Sequence, residues 1–313
     1  MAAEPETTDI VASSRDVLAT HARSFRWASV FLPADARDDA AVVYAFCRLA
    51  DDLVDEAEDP AVGAADLAQL DAELLGTAPP RPLVAALHAV ARRRGIDLAS
   101  AHELNVGIGS DQGAVRVPDD AALLRYCYRV AGTVGLMMCG VIGVTHRGAL
   151  AHAVDLGIGM QITNICRDVR EDAGLGRVYL PATRLRAAGI DPERLAAGDV
   201  DRAKLVGVVR ELLALAERYY ASADDAMRHI PWRSRLAILV ASRVYRAIGR
   251  RLLRNGADTW AGRTIVPWWE KGVWASLGLL AALRPRVAGW VQAPPHERAL
   301  HVGLEGLPGT DTD

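Results

Sequence analysis

Two short acidic stretches carry the residue types and spacing that could do chemistry. The first is Tyr44-Ala-Phe-Cys-Arg48-Leu-Ala-Asp51-Asp52-Leu-Val-Asp55-Glu56. Read as a helix, it sets Val42, Phe46, Leu49 and Leu53 on an apolar face. Asp51 and Asp55 stack one turn apart on another face, with Arg48 a turn earlier. Two carboxylates so placed repel unless a cation sits between them. The second stretch is Gln161-Ile-Thr-Asn164-Ile-Cys-Arg167-Asp168-Val-Arg-Glu171-Asp172, preceded by an apolar stripe of Leu150, Val154, Ile158, Ile162, Ile165 and Val169. Steps of three or four align Gln161, Asn164, Asp168 and Asp172 into a row of oxygen ligands. Mg²⁺ takes one or two carboxylates, keeps several waters and fills its other positions with phosphate oxygens. Two such rows facing each other would form a Mg²⁺ diphosphate clamp, able to neutralise a leaving diphosphate so that a carbon–oxygen bond ionises in a dry pocket. Solvated acidic faces supported by arginines are the competing reading of either row alone. The apolar face opposite each row favours the clamp.

The elements that must position these rows are helical. Ala, Leu, Arg and Glu dominate segments of 3.6-residue periodicity, and alternating β-branched strands are nearly absent, so the fold class is all-α. Helices are predicted over 13–22, 34–57, 62–75, 82–94, 98–111, 119–145, 147–172, 201–228, 232–255 and 269–283, with Pro33, Pro60, Pro79, Pro118, Pro181, Pro231 and Pro267 between them. No internal repeat or low-complexity linker divides the chain. The reading is therefore a flexible N-terminus over 1–14, a single domain over 15–290 and a flexible tail over 291–313.

Composition bounds the function. The 313 residues are 51% hydrophobic, enough for a sizeable core, and the net charge of −3 gives no reason to expect nucleic acid. Cys47, Cys127, Cys139 and Cys166 lie in apolar helical runs without a CxxC, which reads as reduced thiols in a cytoplasmic protein. The start, MAAEPETTDI, has neither the basic nor the apolar region of a signal peptide. The longest apolar run, Val273 to Leu283, falls short of the ~18 to 20 residues of a spanning helix. With Trp268, Trp269, Trp274 and Trp290 around it, it is read as a core helix or as an interfacial contact on the inner face of a membrane. The arginines at 243, 246, 250, 251 and 254 could guide diphosphate or anionic lipid, or form a solvated helix face.

These segments together resemble the squalene and phytoene synthase family, most closely its bacterial phytoene synthases. Besides the two acidic stretches, the likeness is carried by His21-Ala-Arg-Ser24-Phe25, Phe31-Leu-Pro33, Tyr126 through Gly135, Arg177-Val-Tyr179-Leu-Pro181, Tyr219-Tyr220 and Ser242-Arg-Val-Tyr245-Arg. The resemblance spans about residues 15 to 285, in the family's order. It implies an isoprenoid-synthase helical fold with a central cavity between the two Asp helices. By the same resemblance, Asp51, Asp55, Asn164, Asp168 and Asp172 hold roughly two or three Mg²⁺ ions with the diphosphate, Mn²⁺ being a substitute. Ser24, Tyr44, Arg48, Gln161, Arg167, Tyr245 and Arg263 would contact diphosphate. Tyr126 would lie near the reacting carbons, where a phenol can stabilise a cation or assist proton transfer. A core aromatic with a satisfied hydroxyl is the alternative for Tyr126 and Tyr245. The segment from Arg263 to Glu270 departs from the family pattern.

The implied reaction is a prenyl transfer with two ionisations. Loss of diphosphate from one substrate gives an allylic cation, which the second substrate attacks to form a cyclopropylcarbinyl diphosphate; the second ionisation rearranges that ring to a 1′-1 linkage. Loss of a proton then gives phytoene without NADPH, whereas squalene formation needs hydride. Chain length should follow cavity volume. By the resemblance, Phe25, Ser29, Ala41, Val130 and Val134 are assigned to the chain-length pocket; small Ser29 and Ala41 fall where C30-forming relatives tend to have bulky aromatics and leave room for two geranylgeranyl chains, while Gly132, Gly135, Gly140 and Gly143 either add to that room or serve close helix packing. The expected function is the first step of carotenoid biosynthesis, between a geranylgeranyl diphosphate synthase and a desaturase. The alternatives are a C30 synthase acting on farnesyl diphosphate, a terpene cyclase, and a non-catalytic assembly factor of the same fold.

Overall fold

The computed structural model describes residues 10–16, 32–264, 267 and 296–311. The predicted helix over 269–283, the four tryptophans around it, and Ser24, Phe25 and Ser29 lie outside the described residues. A helical turn, α1 (10–16), precedes α2 (Ala34–Asp55), α3 (Pro60–Leu74), α4 (Pro82–Arg94), α5 (Ala99–Gly109) and α6 (Asp120–Cys127). After a π turn (Tyr128–Gly132) come α7 (Thr133–Ile142), α8 (Ala149–Gly174), α9 (Ala182–Ala187), α10 (Pro192–Ala196), α11 (Arg202–Ala226) and α12 (Trp232–Arg254). No strand forms among the described residues; Arg116 and Val178 make an isolated bridge.

Local chemistry sets several boundaries. Asp59 accepts the Ala61 N–H at 2.8 Å and Pro60 occupies the first turn of α3, where a missing N–H costs nothing. Asp119 accepts the Ala122 N–H at 2.9 Å to start α6, and Asp201 accepts those of Ala203 and Lys204 to start α11.

Two apolar clusters flank the molecule's centre. One gathers Leu123, Tyr128, Val154, Ile158, Leu212 and Tyr219 where α6, α8 and α11 meet. The other gathers Val43, Phe46, Leu70, Leu87, Leu104 and Met137 from α2 to α5 and α7. Helices α8 and α11, the longest pair, lie against each other, and α12 closes over α8.

The structure differs from the sequence reading in three places. The helix predicted over 119–145 is split by the π turn. That wider turn carries the Ala131 carbonyl against Gly157, so close that a Cβ on Gly157 would sit 2.4 Å from the oxygen. Second, of the two readings of the glycines, close packing is the one seen at Gly135 and Gly140, although Gly135 also lines an apolar cavity. A Cβ on Gly135 would meet the Ala153 carbonyl of α8 at 2.5 Å and one on Gly140 would meet Ile96 at 2.6 Å, while Gly143 ends α7 at φ +77°. Third, the flexible tail expected over 291–313 meets a different picture over 296–311, where Leu300 and Leu304 are buried and Tyr219 and Tyr128 donate to the carbonyls of Leu300 and Pro308 at 2.7 and 2.8 Å. Its terminal position is the ground for expecting flexibility; two leucines and a pair of histidines anchor the segment instead.

Candidate active site

Each acidic row sits at the end of a long helix whose opposite side is buried. Asp51 and Asp55 occupy the last turn and a half of α2, beyond buried Val43, Phe46 and Ala50. Asn164, Asp168 and Asp172 run along the final turns of α8, opposite buried Ile158, Ile162 and Ile165. The two rows are joined electrostatically by residues from outside both. Arg177 places Nη2 3.3 Å from Asp55 and lies near enough to Asp172 to stabilise its anion. Asp111, just after α5, contributes negative charge felt at Asp51 and at Asp172 alike.

Clustering leaves this mouth short of positive charge. Burial, then the neighbouring Asp55, pushes Asp51 up to about 7. Burial, then Asp168, does the same to Asp172, also to about 7. The Asn164 Oδ1 is buried and accepts no hydrogen bond, although its amide reaches Gln161 Oε1 at 3.4 Å. Carboxylates driven toward protonation by one another, with a buried oxygen awaiting a partner, fit a hard divalent cation. The rows do not close a cage by themselves, so the remaining positions would fall to waters and diphosphate oxygens.

Basic and phenolic groups ring the same mouth. Arg167 donates from Nε to Asp168 at 2.7 Å, and the Arg263 Nε lies 3.0 Å from the same carboxylate on its exposed side. Tyr245 of α12 lies within the field of Arg167 and Asp168, and Tyr44 within that of Arg48, Asp51 and Tyr245. Arg48 pairs with Asp52, one turn along α2. Tyr126 donates to Asp111 at 2.9 Å and stacks on Tyr179, ring centroids 4.8 Å apart; Tyr179 donates to the other Asp111 oxygen at 2.7 Å. Asp111 is the residue that sequence reasoning missed. It stands alone in a loop, Ser110-Asp111-Gln112-Gly113, with no periodic partner to mark it, and only the fold brings it to the two rows.

From this mouth an apolar cavity of about 230 Å³ runs along α8. Gln161, Asn164 and Tyr245 line its polar end, Val130 and Val134 one wall, and Met160 and Leu156 the floor of the next turns. Val130 and Val134, two of the residues assigned to the chain-length pocket, are on this cavity's lining. Ala41 is fully buried in α2 and is not on this cavity's lining. Burial pushes all four cysteine thiols up, including that of Cys139 on the cavity lining, which keeps them unreactive. The arginines of α12 are largely committed to α11: Arg243 to Asp224 at 3.1 Å, Arg246 to Asp224 and Glu217, and Arg250 to Glu217 at 3.4 Å. No helix among the described residues is long and apolar enough to cross a membrane.

Comparison with known proteins places these features. Residues 18–270 match the family model described as squalene/phytoene synthase. A 15-cis-phytoene synthase from Paracoccus sp. is 36% identical over 312 residues, covering 96% of this chain and 97% of its own. A phytoene synthase from Thermus thermophilus is 37% identical over 273 residues, covering 86% and 92%. Among solved structures, a dehydrosqualene synthase in complex with ligand superposes with a TM-score of 0.79 at 27% identity, covering 88% of this chain and 97% of its own. A squalene synthase from Alicyclobacillus acidocaldarius, at 21% identity and a TM-score of 0.71 over 81% and 96%, shares the fold.

Proposed function

The chain belongs to the squalene/phytoene synthase family, and from that premise we propose that it is a prenyltransferase that joins two geranylgeranyl diphosphates head to head to give phytoene. The observation that carries this reading is the continuity of the acidic mouth with an apolar cavity of suitable length. On α8, the cavity lining extends from Asn164 back to Ala149, fifteen positions or about 22 Å at ~1.5 Å per residue. An extended prenyl chain advances about 5 Å per isoprene unit on carbon–carbon bonds of ~1.5 Å, so a C20 chain, at about 20 Å, uses this length more fully than a C15 chain.

When bound, Mg²⁺ would supply charge neutralisation at the departing diphosphate. Asp51, Asp55, Asn164, Asp168 and Asp172 would hold it. Arg48, Arg167, Arg263, Tyr44, Gln161 and Tyr245 would orient the diphosphate oxygens around the mouth. The apolar walls keep water from the allylic cation, so that its partner is the second substrate's double bond. Tyr126, with its hydroxyl engaged by Asp111, presents a fixed ring at the mouth that favours nearby positive charge. Ser24, Phe25 and Ser29 keep the roles proposed from the family pattern, and the tryptophans around the apolar run Val273 to Leu283 support a peripheral membrane contact that would deliver the apolar substrate.

The test is to incubate purified protein and Mg²⁺ separately with geranylgeranyl and farnesyl diphosphate, with and without NADPH, and identify the hydrocarbons. Phytoene from the C20 substrate without NADPH is the expected result. Squalene, dehydrosqualene or hydroxysqualene from the C15 substrate, with no C40 product, would refute it.

A further inference from the structure

About 18 Å along α8 from Asn164, at His152, lies a buried polar cluster that the proposed reaction leaves unused. His152 and Asp155 stand three positions apart, so one face of α8 carries both. Asp155 is 0% exposed, and the side chains of His296 and His301, both from the C-terminal segment, are 3% and 5% exposed. His296 Nε2 lies 2.7 Å from Asp155 Oδ2, and His301 Nε2 lies 2.9 Å from Asp155 Oδ1. Ser222 of α11 donates its hydroxyl to Asp155 Oδ2 and stands 2.7 Å from His152 Nδ1. One ligand atom from each of His152, Asp155 and His296 falls within 4.8 Å of the other two.

The placement of protons shows that this cluster calls for a cation. His301 Nδ1 faces the Thr310 carbonyl at 3.2 Å; a carbonyl can only accept, so a neutral ring carries its proton there. Its Nε2 then turns a lone pair toward a carboxylate oxygen, and two lone pairs at 2.9 Å repel unless a cation joins them. A backbone carbonyl on the far ring nitrogen is also the usual support of a metal-binding histidine. His296 gives a second, independent sign. Its Nδ1 is buried with no hydrogen-bond partner, and its Nε2 faces only the carboxylate. Protons alone would demand an imidazolium at His301 and still leave His296 Nδ1 desolvated with nothing in return. A metal at His296 Nδ1 would leave Nε2–H to donate to Asp155, and the same ion at His301 Nε2 would separate the opposed lone pairs.

The donor set selects the ion. Three imidazoles and one carboxylate suit Zn²⁺, whereas Mg²⁺ prefers oxygen and keeps several waters. Bonds of ~2.0–2.1 Å on a tetrahedron place ligand atoms about 3.4 Å apart. The pairs at 2.7 and 2.9 Å therefore open by about half an ångström, and atoms as far apart as 4.8 Å close by about 1.5 Å at most.

We propose that His152, Asp155, His296 and His301 form a structural Zn²⁺ site, separate from the Mg²⁺ mouth, that pins the C-terminal segment to α8. Four protein ligands in a buried place make a closed site, unlike a catalytic one, which keeps a position open for substrate or water. The segment so pinned also accepts the hydroxyls of Tyr219 and Tyr128 on its Leu300 and Pro308 carbonyls, so the ion steadies the junction of α6, α8 and α11. His152 lines the apolar cavity as well, and the ion fixes that stretch of its wall. The proposal does not depend on which prenyl diphosphate the cavity takes.

The test uses untagged full-length protein, stripped with a chelator, returned to excess Mg²⁺ to fill the oxygen rows, and then given Zn²⁺ alone. After gel filtration, elemental analysis should find about one Zn²⁺ per chain in wild type and in Asp168→Asn, and less than about a fifth of that in Asp155→Asn and His296→Gln. Co²⁺ in place of Zn²⁺ should give the visible bands of a tetrahedral site in wild type, absent from the same two variants. Zn²⁺ at about 100 times its Kd should raise the wild-type Tm by about 5 °C and leave that of His296→Gln unmoved. A wild type that retains no Zn²⁺ and shows no Tm shift would overturn the proposal with no variant needed, leaving the cluster bridged by protons. Stoichiometric Zn²⁺ retained by folded Asp155→Asn and His296→Gln would overturn it too, because the ion would then sit elsewhere. Metal content and Tm are read without substrate, so failure of phytoene formation leaves this result untouched.

Discussion

Replacing Gly157 by Ala tests the contact that brings the π turn against α8. A Cβ at this position would lie 2.4 Å from the Ala131 oxygen, 2.5 Å from its carbonyl carbon and 2.6 Å from the Gly132 nitrogen. All three are backbone atoms, so no side chain can swing aside; the π turn and α8 must separate by about 1 Å to restore ordinary contact. Overpacking of this kind costs about 1–3 kcal/mol, and three backbone contacts put Gly157→Ala near ~3. For a chain of this size each kcal/mol moves Tm by about 2 °C, giving a fall of about 6 °C. Gly207→Ala is the control. It lies exposed in α11 with nothing within 4 Å of its Cβ, so it should gain about 0.5–1 kcal/mol from helix propensity alone. The assay is paired urea and thermal unfolding followed by circular dichroism. Because the same separation displaces Val130 and Val134 from the cavity, Gly157→Ala should also lose turnover of the C20 substrate, whereas Gly207→Ala should not. A Gly157→Ala protein as stable as wild type would refute the close approach and, with it, the reason given for the split helix.

Asp51→Asn and Asp168→Asn should each lower kcat by about 10²-fold or more, with Tm within a few degrees of wild type, since each removes a group from a mouth already crowded with negative charge; product formation at the wild-type rate by either would sink the metal-clamp assignment. Asp111→Asn can accept from only one of the two phenols and removes a negative charge shared by both rows, so the Mg²⁺ concentration for half-maximal activity should rise; an unchanged Mg²⁺ response would place Asp111 outside the site. At the other end of α3, Glu73 accepts the Arg81 Nε and Nη2 at 2.7 and 2.9 Å and the Arg81 N–H at 2.9 Å, and Arg81 holds its carboxyl down to about 2. Its folded-state value lies below the ordinary one, so this stabilisation is complete above the ordinary glutamate range and is lost as pH falls through about 2. With Arg81 partly exposed, the contribution is about 2 kcal/mol, and Glu73→Gln should flatten the unfolding free energy between about pH 4.5 and 2 by that amount. An equal slope in both proteins would contradict it.

The helical class and the two oxygen rows are written in local spacing. A helix places residues three and four apart on one face whatever surrounds it, so Asp51 with Asp55, and Asn164 with Asp168 and Asp172, are legible from the chain alone. The family followed from those rows in order with the Tyr126 and Arg177 blocks. Tertiary structure decided what spacing cannot encode. Asp111 and Arg177 come to the two rows from loops, and their charges matter only because the fold closes the distance. Gly140 reads equally as room for substrate or as close packing until Ile96 is seen 2.6 Å from where its Cβ would sit. The C-terminal segment reads as a flexible tail by its position in the chain, yet Leu300, His296 and His301 find their partners on α8 and α11, roughly 80 to 150 residues away in the chain. Which residues line the cavity is set by such long-range contacts, because a wall exists only when elements distant in sequence meet.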